Sequence, residues 1–428
     1  MVKINSKQGD IIEIKKDKKT IIGTYIRSSK EDTITIKLKS GYNLSIKKKN
    51  IQSLKILKNK KDKKNSVLNL KYNKKLPIIS ILHTGGTIAS KVDYSTGGVY
   101  SSFEPKQILN TTPELKKIAN IQSVFISNIM SEDIRFKDYK KIINAIKQEL
   151  KTKTKGIIVS HGTDTLSLTA TALSFAFENP QIPIILVGSQ RSSDRGSSDS
   201  TMNLVCAAEF ITKTDFKGVA ICMHKSMSDD ICSILPATKT KKMHTSRRDA
   251  FKVINGKEIA NINYKTKKVN FTTKLKQNKE SIIKDKFEDK IAIIKTYPNM
   301  YPDLINTLIE KKYKGLILES SGIGQAPTNT KENLPNYNAL KKFINSGGFV
   351  ILTSNCIFGR VHPHIYTNCR RLEDIGIIFG EDMLTETAFI KLAWLLGNYK
   401  KSEVKELITK NLRGEISKRT KIEEEFLN

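Results

Sequence analysis

The sequence lacks long apolar runs, paired cysteines and an apolar leader. No stretch approaches the ~18 apolar residues that a membrane-spanning helix requires, so we expect no contact with a membrane. The opening residues 1–5 contain no apolar segment, and we expect no secretion signal. None of the five cysteines lies in a Cys-x-x-Cys pair, which indicates that there is no disulfide framework. These absences predict a reducing, cytoplasmic setting.

Acidic residues are scarce relative to basic ones. The 428 residues include 74 Lys and Arg against 42 Asp and Glu, a formal net charge of +32. Such a surplus favours polyanionic partners such as RNA, because lysines at phosphates release condensed counterions. For any single lysine run, compositional bias and a solvated surface are sufficient explanations. A hydrophobic content of 38% excludes wholesale disorder, and the length suits roughly two or three domains.

The first 57 residues have the alternating pattern of short β-strands. Apolar and polar side chains alternate in four segments, at 10–15, 20–27, 33–38 and 42–46. Strands this short, joined by tight turns, predict a small β-barrel domain over residues 1–57. Residues 58–75 are rich in lysine and asparagine without a clear period, and we predict a linker there.

From residue 76 onward, short apolar strands alternate with helical patterns, which is typical of a parallel α/β sheet. We predict one α/β domain over 76–285 and a second, with a helical tail, over 286–428. The predicted strands are 78–82, 156–159, 182–187, 218–222, 291–294, 315–318 and 349–352. The predicted helices are 137–150, 166–177, 201–212, 302–312, 337–345 and 383–396, and residues 252–281 have the pattern of a hairpin-like connector.

The motif TGGTIAS (84–90) directly follows the first of these strands. Its glycines allow a sharp turn that brings backbone N–H groups close to a ligand, and Thr87 offers a hydroxyl. Open α/β sheets bind their ligands at this carboxyl end of the strands. An isolated Gly-Gly is more often a simple turn, and the motif lacks the Gly-Lys-Ser/Thr of a phosphate loop.

A second motif, HGTDT (161–165), follows the next buried strand along the chain. Thr163 or Asp164 could simply cap the following helix, but two such motifs at one sheet edge favour a site. A threonine nucleophile needs a neighbouring base, and a partly desolvated lysine oriented by an aspartate can serve once its neutral form is populated. Backbone N–H groups of the glycine turn could hold the oxyanion. The chemistry indicated is acyl transfer at an amide, without metal or organic cofactor.

These motifs, together with KMHTSRRDAF (242–251), resemble the asparaginase-type amidohydrolases and, within them, the D-subunit family of archaeal glutamyl-tRNA(Gln) amidotransferases. The barrel segment and three further motifs, SSDRGSSDSTMNL (192–204), GRVHPHIY (359–366) and EDMLTETAFIKLAWLLG (381–397), extend the resemblance over almost the whole chain. It implies an asparaginase-like α/β fold with two parallel-sheet domains, preceded by a small SH3-like β-barrel.

The resemblance also implies catalytic roles for four residues. The family's nucleophilic threonine falls on Thr87, its second threonine on Thr163, the aspartate on Asp164 and the lysine on Lys242. Two other lysines, at 239 and 241, are close enough in sequence to compete for the last position.

Substrate-binding residues are implied in the same way. Ser127 and Asn128 match the segment that contacts the substrate's α-amino and carboxylate groups, and Tyr94 matches the tyrosine of the mobile lid. Residues 321–325 resemble a stretch that reaches a partner subunit's active site. Gly196 stands where the family usually has proline, which should only loosen a turn.

Four residues could be drawn as a zinc site by type alone: Cys356, His362, His364 and Cys369. Their spacing fits no familiar zinc finger, and the family carries no metal there. We therefore predict that they are structural side chains and that the subunit holds no metal.

By resemblance, the chain is the glutaminase subunit of a tRNA-dependent amidotransferase. It would hydrolyse glutamine and supply ammonia to an ATP-using E-subunit, which converts Glu-tRNA(Gln) into Gln-tRNA(Gln); ATP and Mg are used by the complex, and this chain needs no cofactor. A homodimer within a heterotetramer is implied. The alternatives are a free L-asparaginase, active alone, and a non-catalytic RNA-binding scaffold with the barrel as RNA reader.

Overall fold

The computed structural model describes residues 9–17, 19–26, 28, 32–38, 43–58, 72–86, 90–92, 99–101, 111–192, 197–273 and 280–420. Within this part of the chain, no helix combines the length and the apolar character that crossing a membrane would require.

The first described element is a five-stranded antiparallel sheet, the N-terminal β domain (residues 9–58). Its strands are β1 (Ile11–Lys16), β2 (Lys19–Ile26), β3 (Thr33–Lys37), β4 (Asn43–Lys47) and β5 (Ser53–Lys58), in the order β4-β3-β2-β1-β5. Alternation places Ile12 and Ile14 of β1 in its core, fully buried against Ile34 and Ile36 of β3. The strand-rich segment is as predicted. The sequence pattern missed β5, whose pairing with β1 is a long-range contact.

An eight-stranded mixed sheet dominates the part of the chain that follows the N-terminal β domain, which we call the first unit. Its order is β18-β17-β14-β13-β12-β10-β6-β9. The strands from 78 to 283 are, in chain order, β6 (Ile78–His83), β7 (Ser90–Val92), β8 (Val99–Ser101), β9 (Asn120–Phe125), β10 (Thr154–Ser160), β11 (Phe177–Glu178), β12 (Pro183–Val187), β13 (Gly218–His224), β14 (Ile231–Pro236), β15 (Thr240–Lys242), β16 (Phe251–Val253), β17 (Ala260–Asn263), β18 (Val269–Phe271) and β19 (Ile282–Ile283). The helices are α1 (Leu115–Ile118), α2 (Phe136–Glu149), α3 (Leu166–Ala176) and α4 (Ser200–Lys213).

The predicted parallel arrangement holds for β6, β10, β12 and β13, and a fifth parallel strand, β9, was not predicted. Beyond β13 the sheet continues with three antiparallel strands. The hairpin of β17 and β18 lies within residues 252–281, whose pattern indicated a hairpin-like connector, whereas β14 and its antiparallel direction were not predicted. The reason lies in residues 225–230, a connection of six residues between β13 and β14. So short a connection allows only an antiparallel return, since a parallel one needs a crossover of a dozen or more residues.

The second unit contains a four-stranded parallel sheet in the order β20-β21-β22-β23. Its elements are β20 (Ile291–Lys295), α5 (Asp303–Glu310), β21 (Gly315–Ser320), α6 (Leu334–Asn345), β22 (Phe349–Ser354), α7 (Thr367–Asp374), β23 (Ile378–Phe379), α8 (Thr385–Asn398) and α9 (Lys401–Leu407). Helix α8 packs against α3 of the first unit, where the rings of Trp394 and Phe175 lie 5.3 Å apart. The two sheets therefore share one hydrophobic core.

Two buried ion pairs accompany this shared core. Lys391 of α8 and Glu415 are both fully buried, with Nζ 2.6 Å from Oε1. Lys239 of the first unit lies 2.7 Å from Asp382 of the second, and both are almost fully buried. Burial is the largest effect on Lys239 and lowers its pKa, although Asp382 opposes that shift. The second pair ties the loop before β15 to the other unit.

Candidate active site

Three neighbouring parallel strands end in polar loops at the same edge of the large sheet. Residues 84–86 follow β6, residues 161–165 follow β10, and residues 188–190 follow β12. Main-chain bonds hold the first loop to its neighbours, since Thr84 N and Oγ1 both donate to Ser160 O, at 3.2 and 2.9 Å. The two sequence motifs thus lie side by side.

Glycines allow the backbones of these loops to pack directly against one another. Gly86 has φ +77°, and a Cβ atom there would lie 2.4 Å from Cα and N of Gly162. Gly85 has φ +113°, and a Cβ atom there would lie 2.5 Å from the carbonyl oxygen of Ile129. Both positions need a backbone that L side chains rarely adopt. Glycine at these two positions therefore lets the turn pack closely against the backbone of Gly162 and Ile129.

Gly162 offers a test of this close packing. A Cβ atom there would lie 2.7 Å from both Cβ and Oγ of Ser131. We expect Gly162→Ala to lower the free energy of unfolding by about 1–3 kcal/mol, as overpacking does, measured by urea denaturation. The double variant Gly162→Ala/Ser131→Gly removes the obstructing atoms and should recover part of that loss. A double variant as unstable as Gly162→Ala would contradict the steric explanation.

Lys242, at the end of β15, reaches the second motif. Its Nζ donates to Thr163 Oγ1 at 2.9 Å and to Asp164 Oδ1 at 2.7 Å. Thr163 is 5% exposed, whereas the Asp164 side chain is 64% exposed and that of Lys242 is 14% exposed. A hydroxyl and an amine are thus held together at the border between core and solvent.

The two competing lysines have other partners. Lys239 Nζ donates to Asp382, and Lys241 Nζ pairs with Glu386. Consecutive residues of β15 point to opposite sides, so Lys241 turns towards the second unit and Lys242 towards Thr163. Of these three lysines, only Lys242 contacts Thr163 in the described part of the chain.

Two predicted site residues, Thr87 and Tyr94, lie outside the described residues. The other two substrate-binding candidates are next to the first motif. Ser127 Oγ donates to Thr84 O at 3.0 Å, and the carbonyl carbon of Asn128 would be 3.1 Å from a Cβ atom on Gly85. The loop after β9 therefore borders the glycine turn.

Gln190, which follows β12, is a further residue of the site that was not predicted from the sequence. Thr163 Oγ1 donates to Gln190 Oε1 at 3.2 Å, so the threonine hydroxyl accepts from Lys242 and donates to the glutamine. Gln190 Nε2 is buried and has no hydrogen-bond partner among the described residues. Its position at the carboxyl end of a third parallel strand was a usable signal.

Asp199 fixes the loop that carries Gln190. This carboxylate is fully buried and accepts from Gln190 N at 3.1 Å, Ser189 Oγ at 2.8 Å and Arg191 N at 3.1 Å. Asn203 Nδ2 also donates to it, at 3.2 Å. A buried charge is tolerated only with such bonds, so the carboxylate holds the backbone of residues 189–191.

The network continues to the segment that follows Lys242. His224 Nδ1 lies 2.6 Å from Asn203 Oδ1, and His224 Nε2 lies 3.3 Å from Asp229. Arg248 Nη1 donates to the same Asp229 oxygen at 2.5 Å. Burial is the largest effect on the pKa of His224 and lowers it, with Asp199 opposing. Hydrogen bonds thus run from the backbone of Gln190 to Arg248, which lies six residues after Lys242 in the chain.

Two buried histidines flank the motifs. Burial lowers the pKa of His83 to about 3 and that of His161 to about 4, so both are neutral near pH 7. His161 Nδ1 lies 2.7 Å from Gly162 O and its Nε2 lies 2.9 Å from Thr169 Oγ1. These bonds hold the Gly162 peptide, which suits a structural role.

The four residues considered for zinc do not share one environment. Cys356 is exposed, whereas Cys369 is buried with its Sγ 3.5 Å from Gly324 O. The rings of His362 and His364 lie 5.5 Å apart. Among the described residues, no group of three or more His, Cys, Asp or Glu is arranged to hold a metal ion.

Comparison with known proteins identifies the class. Residues 78–277 match the family described as asparaginase, N-terminal, and residues 290–408 match the glutaminase/asparaginase C-terminal domain. The thermostable L-asparaginase from Thermococcus kodakarensis is 28% identical with a TM-score of 0.71, covering 79% of this chain and 99% of that one. L-asparaginase I from Vibrio cholerae is 27% identical with a TM-score of 0.68, covering 80% and 99%. The fold is asparaginase-like, as predicted.

The N-terminal region narrows the assignment, because residues 6–57 match the GatD N-terminal domain. The D-subunit of glutamyl-tRNA(Gln) amidotransferase from Methanococcus maripaludis is 42% identical, over 97% of this chain and 99% of its own length. The corresponding protein from Pyrococcus furiosus is 41% identical, over 92% and 89%. The chain belongs to the D-subunit family of glutamyl-tRNA(Gln) amidotransferases, an amidotransferase family with an asparaginase-type domain.

Proposed function

We propose that this chain is the glutaminase subunit that supplies ammonia for converting Glu-tRNA(Gln) into Gln-tRNA(Gln). The observation that carries the proposal is the contact of Lys242 Nζ with both Thr163 Oγ1 and Asp164 Oδ1 within an asparaginase-like fold. The named relatives support the choice of acceptor.

In the proposed reaction, Thr87 Oγ1 attacks the side-chain amide carbon of glutamine. The hydroxyl proton leaves to a base, the C–N bond breaks with protonation of the nitrogen, and ammonia departs from an acyl-enzyme. Water then attacks the ester, which releases glutamate and restores the Thr87 hydroxyl. Such splitting of one difficult step into two is the advantage of covalent catalysis, and N–H groups of the Gly85-Gly86 turn would stabilise the oxyanion.

The observed bonds suggest how the proton moves. Thr163 has one hydroxyl proton, which is directed to Gln190 while Lys242 donates. Once Lys242 is neutral, its Nζ becomes an acceptor and the same proton can turn to it. Thr163 and Lys242 can then take up the proton that the water or Thr87 loses, as a general base requires, while Asp164 orients the amine.

Further residues would bind glutamine, and a second subunit would use the ammonia. Ser127, Asn128 and Tyr94 would hold the α-amino and carboxylate groups of glutamine, with Tyr94 on a lid. The ATP-using E-subunit of the amidotransferase would be the partner and would activate the glutamyl group on tRNA(Gln) with ATP and Mg. We propose a homodimer of this chain within the heterotetramer.

The test is glutamine hydrolysis by the chain alone, with its partner subunit, and with the partner plus Glu-tRNA(Gln) and ATP. We expect rates to rise along the series, because partners that bind the catalytically competent conformation of this chain more tightly than its other conformations increase the population of the competent one. Amide ¹⁵N from glutamine should appear in Gln-tRNA(Gln) only in the third reaction. Equal rates in all three, with asparagine preferred, would favour the free L-asparaginase instead.

A further inference from the structure

Positive charge is concentrated at the amino-terminal end of the chain. The first 75 residues contain 22 Lys and Arg against six Asp and Glu, a net +16. Half of the chain's net charge of +32 therefore lies in less than a fifth of its length. Compositional bias towards lysine would spread the surplus evenly, so the concentration needs another explanation.

The structure gathers five of these lysines at one end of the N-terminal β domain. Lys15, Lys16 and Lys19 flank the β1–β2 turn, where Lys16 and Lys19 are paired across the strands. Lys48 and Lys49 lie in the turn before β5, and Gln52 N, three residues further on, donates to Lys15 O at 2.9 Å. We call these five residues the lysine cluster.

The charges of the lysine cluster are largely uncompensated. Four of its side chains are exposed, and the Lys16 side chain is 35% exposed. Among the described carboxylates, only Asp17 forms an ion pair with the cluster, at 3.6 Å from Lys16 and itself 74% exposed. Of the other acidic residues nearby, Asp10 is 4% exposed, Glu13 within β1 is half-buried, and Asp32 is exposed beside Lys48 but forms no ion pair with the cluster. The result is a local positive field that attracts polyanions.

We propose that the lysine cluster binds the phosphate backbone of RNA. Lysine ammonium groups act as point charges for phosphates, and the cluster contains no arginine or aromatic residue for base recognition. Binding is then insensitive to sequence and steeply dependent on salt. The inference rests on the proposed function in naming transfer RNA as the ligand. The N-terminal β domain would hold the tRNA body while the aminoacyl end is amidated elsewhere in the complex.

The test uses the full chain with Lys15, Lys16, Lys19, Lys48 and Lys49 all replaced by glutamine. The matched control replaces five exposed lysines of the second unit by glutamine: Lys311, Lys312, Lys314, Lys341 and Lys342. Fluorescence anisotropy with a tRNA(Gln) transcript is measured over a series of KCl concentrations. We expect the cluster variant to lose at least about 10-fold in affinity near 0.1 M salt. Its slope of log K against log [salt] should become shallower by up to about 4, since each lost phosphate contact removes ~0.7–0.9.

Other outcomes overturn the inference. Equal losses in both variants would mean that the overall field of the chain, and not the cluster, attracts RNA. Unchanged tRNA affinity with lost affinity for polyglutamate would assign the cluster to an acidic protein partner. Glutamine hydrolysis by each variant, measured in the same preparations, should stay at the parental rate. A parental chain that binds tRNA through the cluster but never supports amidation would refute the proposed function and leave this inference standing.

Discussion

Replacing Lys242 with methionine should lower the rate of glutamine hydrolysis by ~10² or more, the usual effect of losing a general base. Methionine has similar length and volume, so the packing around β15 is kept. What disappears is the amine 2.9 Å from Thr163 Oγ1 and 2.7 Å from Asp164 Oδ1. The measurement is ammonia release at saturating glutamine by the complete complex, with the urea unfolding midpoint as a check on folding.

The adjacent lysine provides the control. Lys241→Met makes the same chemical change one residue away, at a side chain that pairs with Glu386 and has no bond to Thr163. We expect Lys241→Met to retain turnover within a few-fold of the parental chain. Near-normal turnover in Lys242→Met combined with inactive Lys241→Met would show that our proposal assigns the base to the wrong lysine.

The buried pair of Lys391 and Glu415 should give the largest effect on stability. Lys391→Met leaves Glu415 as an uncompensated charge in the core, and removal of one partner of a buried pair costs about 3–5 kcal/mol. The present pair is fully buried, with Lys391 Nζ also donating to Lys410 O at 2.5 Å. Burial lowers the pKa of Lys391, and Glu415 opposes that shift. Urea unfolding at pH 7 measures the loss.

Two further variants make that result interpretable. Lys410→Met breaks the exposed pair with Glu406 and should cost less than about 1 kcal/mol. The double variant Lys391→Met/Glu415→Met removes both buried charges and should be more stable than Lys391→Met alone. Recovery will be incomplete, because Glu415 also accepts from the backbone N–H groups of Leu412 and Arg413. A double variant less stable than the single one would argue against an uncompensated charge as the cause.

The apolar spacing within single segments predicted several helices of the fold closely. Helix α2 was predicted as 137–150 and found at Phe136–Glu149, and α3 was predicted to within one residue, because apolar spacing is a property of the segment itself. Strands β5, β9 and β14, and the attachment of the β17–β18 hairpin to the large sheet, were not predicted. Their existence depends on pairing with distant partners, which no local window contains.

The same distinction applies to the site. Thr163, Asp164 and Lys242 were predicted by resemblance, and the structure brings all three together. Gln190 was missed although it follows a predicted strand, because its importance comes from the hydrogen bond to Thr163, which only the three-dimensional structure shows. Asp199 fell within a motif that was noted only for resemblance, and its function in holding residues 189–191 is visible only in three dimensions.

Strand β15 couples the position of the Lys242 amine to the second unit. Lys241 is bonded to Glu386 of the second unit, while Lys242, the next residue, is bonded to Thr163 of the first. A small change in how the two units are seated therefore displaces the amine relative to the threonine. A displacement of 1 Å would exceed hydrogen-bond range for a 2.9 Å contact, and misplacement of that size can cost ~10² in rate. A protein bound across the two units, far from the glutamine, would thus adjust turnover without touching a single reacting atom.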